Sequence, residues 1–148
     1  MNIAIREAAE NDLNSILKIL SQLEMDDGKE ISLEKAKDTF HKMGKYPFFK
    51  VFVAVLDGEV VGTFELLIMD NLAHQALPSG IIEDVAVARA RQGQGIGKEM
   101  MSHAVKICRE MGCYKVALSS HLKRHDAHRF YESLGFQKHG FSFYVDLI

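Results

Sequence analysis

The chain has 148 residues, of which 47% are hydrophobic and 26% charged, proportions that are ordinary for one globular domain. Its formal net charge of -2 excludes a strong overall attraction to nucleic acid or to an anionic membrane. The N-terminal residues lack the apolar segment of a signal peptide, and no apolar run is long enough to span a bilayer. We therefore expect a single cytoplasmic domain over residues 1–148, with neither nucleic acid nor membrane as a partner.

The first third of the chain predicts a short strand followed by two helices. Residues 2–6 are typical of a strand, and leucine and isoleucine recur at spacings of three and four through residues 12–23, which predicts a helix. The segment Met25–Glu30 breaks this pattern and indicates a loop. Ser32 is a suitable N-cap for a second helix that ends near Gly44.

The middle of the chain predicts a hairpin. Phe49 to Leu56 and Val60 to Ile68 are rich in β-branched and aromatic residues, and they flank Asp57-Gly58, the strongest short-range hairpin signal. A loop around 70–80 follows, and Ile81 to Ala88 predicts another strand. We expect this part of the sheet to be antiparallel.

The last third alternates between helix and strand. A helix is predicted over about 96–111 and ends at Gly112, with its apolar face formed by Ile96, Met100, Ala104, Ile107 and Met111. Strands are predicted at Lys115–Ser119 and Phe141–Leu147, with a helix at Asp126–Leu134 between them. Together these elements indicate an α/β layered domain with a mixed sheet.

A glycine-rich loop, Gln92-Gly93-Gln94-Gly95-Ile96-Gly97, joins a predicted strand to the long helix. Backbone N–H groups at the start of a helix have no partner within it, and glycines let a bulky anion approach them, so the loop predicts a phosphate site. The dinucleotide-binding fingerprint is excluded because Lys98 stands where its third glycine should be. A P-loop is excluded because Glu99 replaces its serine or threonine.

Gln92, Gly95 and Gly97 fit the pattern Q/R-x-x-G-x-G/A, which resembles the cofactor loop of the GNAT superfamily of acetyltransferases. A second motif, Ala127–Phe136, resembles that family's late helix, A-x-x-F-Y-E-x-L-G-F. The resemblance implies a mixed, mostly antiparallel splayed sheet flanked by helices, with acetyl-CoA bound as co-substrate in the gap of the sheet. It also implies transfer of the acetyl group to a primary amine of a small molecule.

The resemblance also implies which residues contact the cofactor. The strand before the loop would pair with the pantetheine arm, and the loop amides would hold the pyrophosphate. Arg124 stands where the family often has asparagine, and its role stays open. The cofactor-binding residues expected in this way are Val85, Ala86, Val87, Gln92, Gly93, Gln94, Gly95, Ile96, Gly97, Lys98, Arg124, Ala127 and Tyr131.

Two residues are candidates for acid and base catalysis. A phenol stays protonated at neutral pH and can protonate a leaving thiolate, and Tyr131 occupies the position of the family's tyrosine acid. Glu83 interrupts an apolar strand and is the candidate base, because burial raises the pKa of a carboxyl group. Asp84 is the alternative base, and strand alternation places it on the face opposite Glu83. No nucleophilic residue is needed, and the two cysteines, Cys108 and Cys113, are expected to be free and inert.

His121, His125 and His128 form the one cluster that suggests a metal. A metal site would need further ligands, so we expect none, and the histidines are interpreted as a solvated helix face or as contacts to cofactor or acceptor.

The sequence leaves the identity of the acceptor amine open. Lys123–Tyr131 resembles aminoalkylphosphonate N-acetyltransferases, whereas Ile82–Val87 with Gln92–Gly95 and Gly112–Lys115 resembles glucosamine-6-phosphate N-acetyltransferases. The latter carry an acidic stretch where this chain has Ser119-Ser120-His121, which weakens the resemblance. Both relatives acetylate amines that bear an anionic phosphorus group, but the acidic segment Glu24–Glu30 favours a cationic amine. A non-catalytic module that senses acyl-CoA, acetylation of a protein amine, and assembly as a homodimer are the alternatives that the sequence leaves open.

Overall fold

The computed structural model describes residues 2–23 and 29–148, so most of the predicted acidic loop lies outside the described residues. The chain divides into two compact units, Met1–Ala117 and Leu118–Ile148. The expectation of a single domain over residues 1–148 stays a prediction.

The first unit is built on a five-stranded sheet in the order β1-β2-β3-β4-β5. The first four strands pair antiparallel, and β5 joins β4 in parallel, which confirms the expected mixed, mostly antiparallel sheet. Asp57 and Gly58, with φ of 52° and 77°, form the predicted hairpin turn between β2 and β3. The strands are β1 (Ile3–Glu7), β2 (Phe49–Leu56), β3 (Glu59–Met69), β4 (Ser79–Val87) and β5 (Lys115–Ala117).

Three helices cover this sheet: α1 (Leu13–Ser21), α2 (Leu33–Met43) and α3 (Ile96–Glu110). Ser32 caps α2 as predicted, because its hydroxyl accepts the N–H of Lys35 at 3.1 Å. Gly112 follows α3 with a φ of 76°, the left-handed conformation that ends a helix. Helices lie on both faces of the sheet: α3 packs against the face that carries Gly62 and Gly80, and α1 and α2 pack against the other.

The buried stripe of α3 differs in part from the prediction. Met101 and Cys108 are buried with Ile96, Met100 and Ala104, whereas Met111 is 46% exposed. The helix ends at Glu110, so Met111 is already its C-cap and does not continue the buried stripe. Cys108 is a free thiol in the core of this unit.

The second unit contains α4 (His125–Ser133), close to its predicted bounds. The strand predicted at residues 141–147 is wrong, since the described residues after Gly135 form no helix or strand. Alternating apolar residues become a strand only where a neighbouring strand supplies hydrogen bonds, and Phe143 is instead 90% exposed. Across the described residues, no helix has both the length and the apolar character needed to cross a membrane.

Close contact between β4 and α3 makes Gly80 sensitive to substitution. A Cβ added there would lie 2.3 Å from the Sγ of Cys108. We expect Gly80→Ala to lower the free energy of unfolding by about 1–3 kcal/mol, the usual cost of overpacking a core. Urea denaturation of the purified variant measures this loss.

Gly140→Ala is the matched control, because an added Cβ at Gly140 meets nothing within 4 Å. Adding Cys108→Ala to Gly80→Ala should make the two changes less destabilising together than the sum of the separate losses, since the clashing sulfur is gone. Strict additivity would contradict the assigned contact.

Candidate active site

An open backbone edge of β4 leads into the site. Its pairing with β5 covers only Ser79 to Ile81, so within the described chain residues 82–87 have no strand on that side. The N–H of Ala88 donates to the carbonyl of Val61 in β3 at 2.8 Å, and alternation therefore turns the backbone groups of Val87 and Val85 away from β3. Gln92 donates its side-chain amide to the Val87 carbonyl at 3.4 Å. At Val85 and Val87, the backbone groups of β4 can therefore pair with an extended ligand.

The glycine loop then reverses the chain into α3. Gly93 and Gly95 have φ of 78° and 82°, and a Cβ added at either would meet nothing within 4 Å. Gly95 is the N-cap of α3, and it has no side chain that could accept the N–H groups of the first turn. The N–H of Glu99 donates to the carbonyl of Gly95. The preceding N–H groups and the helix dipole face open space, which is the arrangement that binds an anion.

Polar contacts tie the start of the loop to the rest of the first unit. The N–H of Arg89 donates to Oε1 of Gln22 at 2.8 Å, and Arg91 pairs with Glu59 at 3.2 Å. These contacts connect the loop to the end of α1 and to the start of β3. They favour a preformed loop over one that must order when a ligand binds.

A β-bulge changes the direction of the two acidic residues in β4. Glu65 lies opposite Glu83 and Thr63 opposite Ala86, so β4 has one residue more than β3 between these pairs. Asp84 carries the bulge with a φ of 50°. The expectation that Glu83 and Asp84 lie on opposite faces is therefore wrong, because Glu83 lies opposite Glu65 in the register and Asp84 lines the same cavity as Glu65.

Two of these carboxyl groups, Glu65 and Glu83, have raised pKa values. The pKa of Glu65 is raised to about 7, first by burial and then by the charge of Asp84, to which protonated Glu65 donates a hydrogen bond. The pKa of Glu83 is also raised, by partial desolvation and by the Asp84 charge. Glu83 itself is exposed, contrary to the expectation of a buried base. A group that titrates near neutral pH can accept or donate a proton in catalysis.

An apolar cavity of about 210 Å³ adjoins Glu65 and Asp84. Side chains of α1 and α2, such as Leu17 and Phe40, form its walls, and Thr63 lies on its sheet side. The Thr63 hydroxyl donates to the carbonyl of Phe52 at 2.9 Å, so this buried group already has a partner.

In the second unit, a helix-ending motif holds Tyr131. The N–H of Phe136 bonds to the Tyr131 carbonyl at 3.1 Å across Gly135, whose φ is 93°. The two rings meet edge to face with centroids 5.8 Å apart, the apolar contact that accompanies this type of helix end. Burial raises the pKa of Tyr131, and the nearby charge of Arg124 opposes that rise. The phenol therefore stays protonated at neutral pH.

The histidines of the second unit contact one another and the local backbone. Nε2 of His128 lies 2.9 Å from the carbonyl of His121, and Nδ1 of His121 accepts the N–H of Lys123 at 3.1 Å. His125 meets His128 edge to face at 5.8 Å. Across the part of the chain that the structure describes, no three His, Cys, Asp or Glu side chains come together as metal ligands.

Comparison with known proteins identifies the family. Residues 17–136 match the model of the Acetyltransferase (GNAT) family. The chain belongs to the GNAT family. This GNAT chain is 33% identical over 148 residues to glucosamine 6-phosphate N-acetyltransferase of Trypanosoma brucei brucei, and the alignment covers 99% of the chain and 97% of that relative. The predicted family and the predicted class of enzyme, an acyltransferase, are both confirmed.

Two further relatives cover nearly the same length. Aminoalkylphosphonate N-acetyltransferase of Salmonella typhimurium is 30% identical over 139 residues, which are 94% of this GNAT chain and 88% of that relative. A solved structure from Agrobacterium tumefaciens str. C58 superimposes with a TM-score of 0.90 at 34% identity, covering 97% of this chain and 99% of the other. The latter confirms the fold class inferred from the glycine loop and the late helix.

The sequence reasoning missed Glu65. A signal for it was present, because Glu65 interrupts an apolar strand just as Glu83 does. What alternation alone could not supply was the bulge at Asp84, which depends on the register between β3 and β4. Together these two residues place a carboxyl pair beside the cavity.

The raised pKa of Glu65 predicts how stability depends on pH. Between its ordinary value of 4.5 and about 7, folded GNAT protein retains a proton that the unfolded chain has lost. The unfolding free energy should therefore fall as pH rises through this window, by at most about 1.4 kcal/mol per pH unit for one proton. Glu65→Gln should flatten this slope in urea titrations at several pH values between 5 and 7.

Glu34→Gln is the control, because Glu34 is exposed on α2 and does not line the cavity. The control should keep the wild-type slope. Equal slopes in wild type and Glu65→Gln would contradict the raised pKa.

Proposed function

We propose that this GNAT enzyme transfers the acetyl group of acetyl-CoA to a primary amine of a small molecule by direct attack of the amine. The observation that carries the proposal is the glycine loop at the N-terminus of α3, which follows the unpaired edge of β4 directly. One end of this arrangement suits a pyrophosphate, and the other suits the amide-containing pantetheine arm. The relatives named N-acetyltransferases support the same reaction.

Cofactor contacts follow from this arrangement. We assign the pantetheine arm to the backbone N–H and C=O groups of Val85 and Val87. Ala86 lies between them, and its own backbone groups face β3. The pyrophosphate is assigned to the amides of Gln92–Lys98, where the open space at Gly93 and Gly95 gives a bulky anion access. Roles for Arg124 and Ala127 rest on the late-helix motif, and both border an open concavity of about 490 Å³ in the second unit.

Glu83 is proposed as the general base. An amine that attacks a thioester must first lose a proton, and a carboxylate with a raised pKa accepts it more readily than an ordinary one. Glu83 is exposed, so it can receive the proton from the amine directly or through water. The desolvated neighbour Glu65 shares the same face and can take part in the same titration.

Tyr131 is proposed as the general acid. The thiolate that leaves the thioester needs a proton, and a phenol whose pKa is raised remains protonated at the pH of the reaction. Contacts with Phe130, at 5.2 Å between ring centroids, and with Phe136 restrict the ring. A fixed ring gives the hydroxyl a defined direction.

A matched pair of glycine variants tests the cofactor loop. Gly95 and Gly112 flank α3, both have positive φ, and an added Cβ at either meets nothing within 4 Å. Valine at either position should therefore cost a similar amount of stability, about 1–3 kcal/mol. Only Gly95→Val should lose acetyl-CoA binding, by at least about 100-fold in calorimetry, because its side chain fills the space assigned to the pyrophosphate.

Thermal denaturation gives a second readout of the same pair. Acetyl-CoA should raise the melting temperature of the wild type and of Gly112→Val, since a ligand that binds only the folded state stabilises it. Normal acetyl-CoA affinity in a folded Gly95→Val protein would remove the loop from its proposed role.

Tyr131→Phe tests the acid. The change removes one hydroxyl and keeps the ring, so acetyl-CoA affinity should stay within about threefold while kcat falls by about 10²–10⁴-fold, the usual contribution of general acid catalysis. Steady-state kinetics beside a melting curve measure both effects. Tyr144→Phe is the control, because Tyr144 is 83% exposed in the same unit. An unchanged kcat in Tyr131→Phe would exclude the acid role.

A further inference from the structure

The cavity between α1, α2 and the sheet has one apolar part and one acidic part. Leu17, Phe40 and Val51 line the apolar part, whereas Glu65 and Asp84 are the charged side chains among the described residues that line it. No described lining residue is lysine, arginine or histidine. A ligand complementary to such walls carries a positive charge at one end and hydrocarbon at the other.

Among the residues that the structure describes, the groups facing Glu65 contribute negative charge only. From β4 they are Glu83 and Asp84, and from β2 the residue opposite is Val51. The described lining residues of α1 and α2 are not titratable. Burial without a counter-ion is costly for a carboxylate, and a bound cation relieves that cost.

The volume sets the size of the ligand. An apolar cavity of about 150 Å³ accommodates benzene. The cavity here, at about 210 Å³, has room for one such ring with a short alkyl chain that reaches the carboxyl pair.

We propose that this cavity is the acceptor site, that the acceptor is a primary arylalkylamine or an amine of similar apolar body, and that Glu65 together with Asp84 binds its ammonium group. The proposal rests on the proposed acetyltransferase function and narrows its substrate class. The relatives are named for acceptors that carry a phosphate or phosphonate group. A phosphorus anion in this cavity would meet carboxylates instead of basic side chains, so this chain differs from them in its acceptor.

Isothermal calorimetry with phenethylamine tests the proposal on the intact chain. The ammonium should lower the proton affinity of Glu65, so binding at pH 7 should release protons, seen as a binding enthalpy that depends on the ionisation heat of the buffer. Two matched probes separate charge from shape. 2-Phenylethanol keeps the ring and lacks the ammonium group, whereas 2-aminoethylphosphonate keeps the ammonium group and has an anionic phosphonate in place of the ring. Each should bind at least about tenfold more weakly than phenethylamine.

Variants assign the effect to the carboxyl pair. Glu65→Gln should weaken phenethylamine binding at least about tenfold and abolish the proton release, whereas the exposed control Glu34→Gln should retain both. Asp84→Asn is a second test, because asparagine tolerates the positive φ at that position. A merely structural role for Glu65 would change stability without changing proton release.

The outcomes separate this proposal from the proposed function. Acetylation of 2-aminoethylphosphonate or glucosamine 6-phosphate in preference to phenethylamine would overturn the acceptor assignment and leave the acetyltransferase intact. Failure of phenethylamine to bind, or full binding by Glu65→Gln, would overturn it too. If the wild type did not bind acetyl-CoA, the proposed acetyltransferase function would be contradicted. Binding of phenethylamine with proton release would still support the cavity as an amine-binding site.

Discussion

One additional residue in β4 determines the direction of the side chains that follow it. Without the bulge at Asp84, Glu83 and Asp84 would project from opposite faces of the sheet, and Glu65 would face a single carboxylate. With it, two carboxyl groups of β4 act on Glu65 on one face. The bulge also turns the backbone N–H and C=O groups of Val85 and Val87 towards the unpaired edge of β4. The grouping of the three carboxyl residues and the direction of this edge therefore both depend on one extra residue.

A strained residue at this position is consistent with a functional constraint. Asp84 has a φ of 50°, a conformation that non-glycine residues adopt at some cost. The register of β3 and β4 on both sides of the bulge holds it there. The acidic group is also destabilised electrostatically, because burial and like charges both oppose ionisation of Glu65. The backbone strain at Asp84 and the charge repulsion at Glu65 thus both lower the stability of the folded state. They lie where the proposed chemistry needs a proton acceptor and a site for an ammonium group.

The proposed cofactor site and the proposed acceptor site lie in separate parts of the first unit. We propose the cofactor site at the glycine loop and the start of α3, whose geometry depends on backbone groups more than on side chains. The cavity proposed as the acceptor site depends on side chains of α1 and α2, so its ligand preference can differ between chains that share the fold. Identity of 33% to a glucosamine 6-phosphate N-acetyltransferase is therefore compatible with a different acceptor.

The sequence alone determined the elements that depend on local interactions. Asp57-Gly58 predicted its hairpin because few other residues adopt the turn, and Ser32 predicted a cap because its hydroxyl reaches an N–H three residues away. The glycine loop was recognisable from Gln92, Gly95 and Gly97, and the late helix from the motif Ala127–Phe136, because each is a short pattern of neighbouring residues.

Only the tertiary structure decided features that depend on distant partners. The alternation at residues 141–147 predicted a strand, but no strand formed there because a ladder needs a neighbour that the pattern cannot supply. Glu65 and Asp84 are 19 positions apart in the chain, and their meeting required the register of β3 on β4 and the bulge within it. Likewise, the walls of the cavity come from α1 and α2, whose packing against the sheet no local pattern specifies.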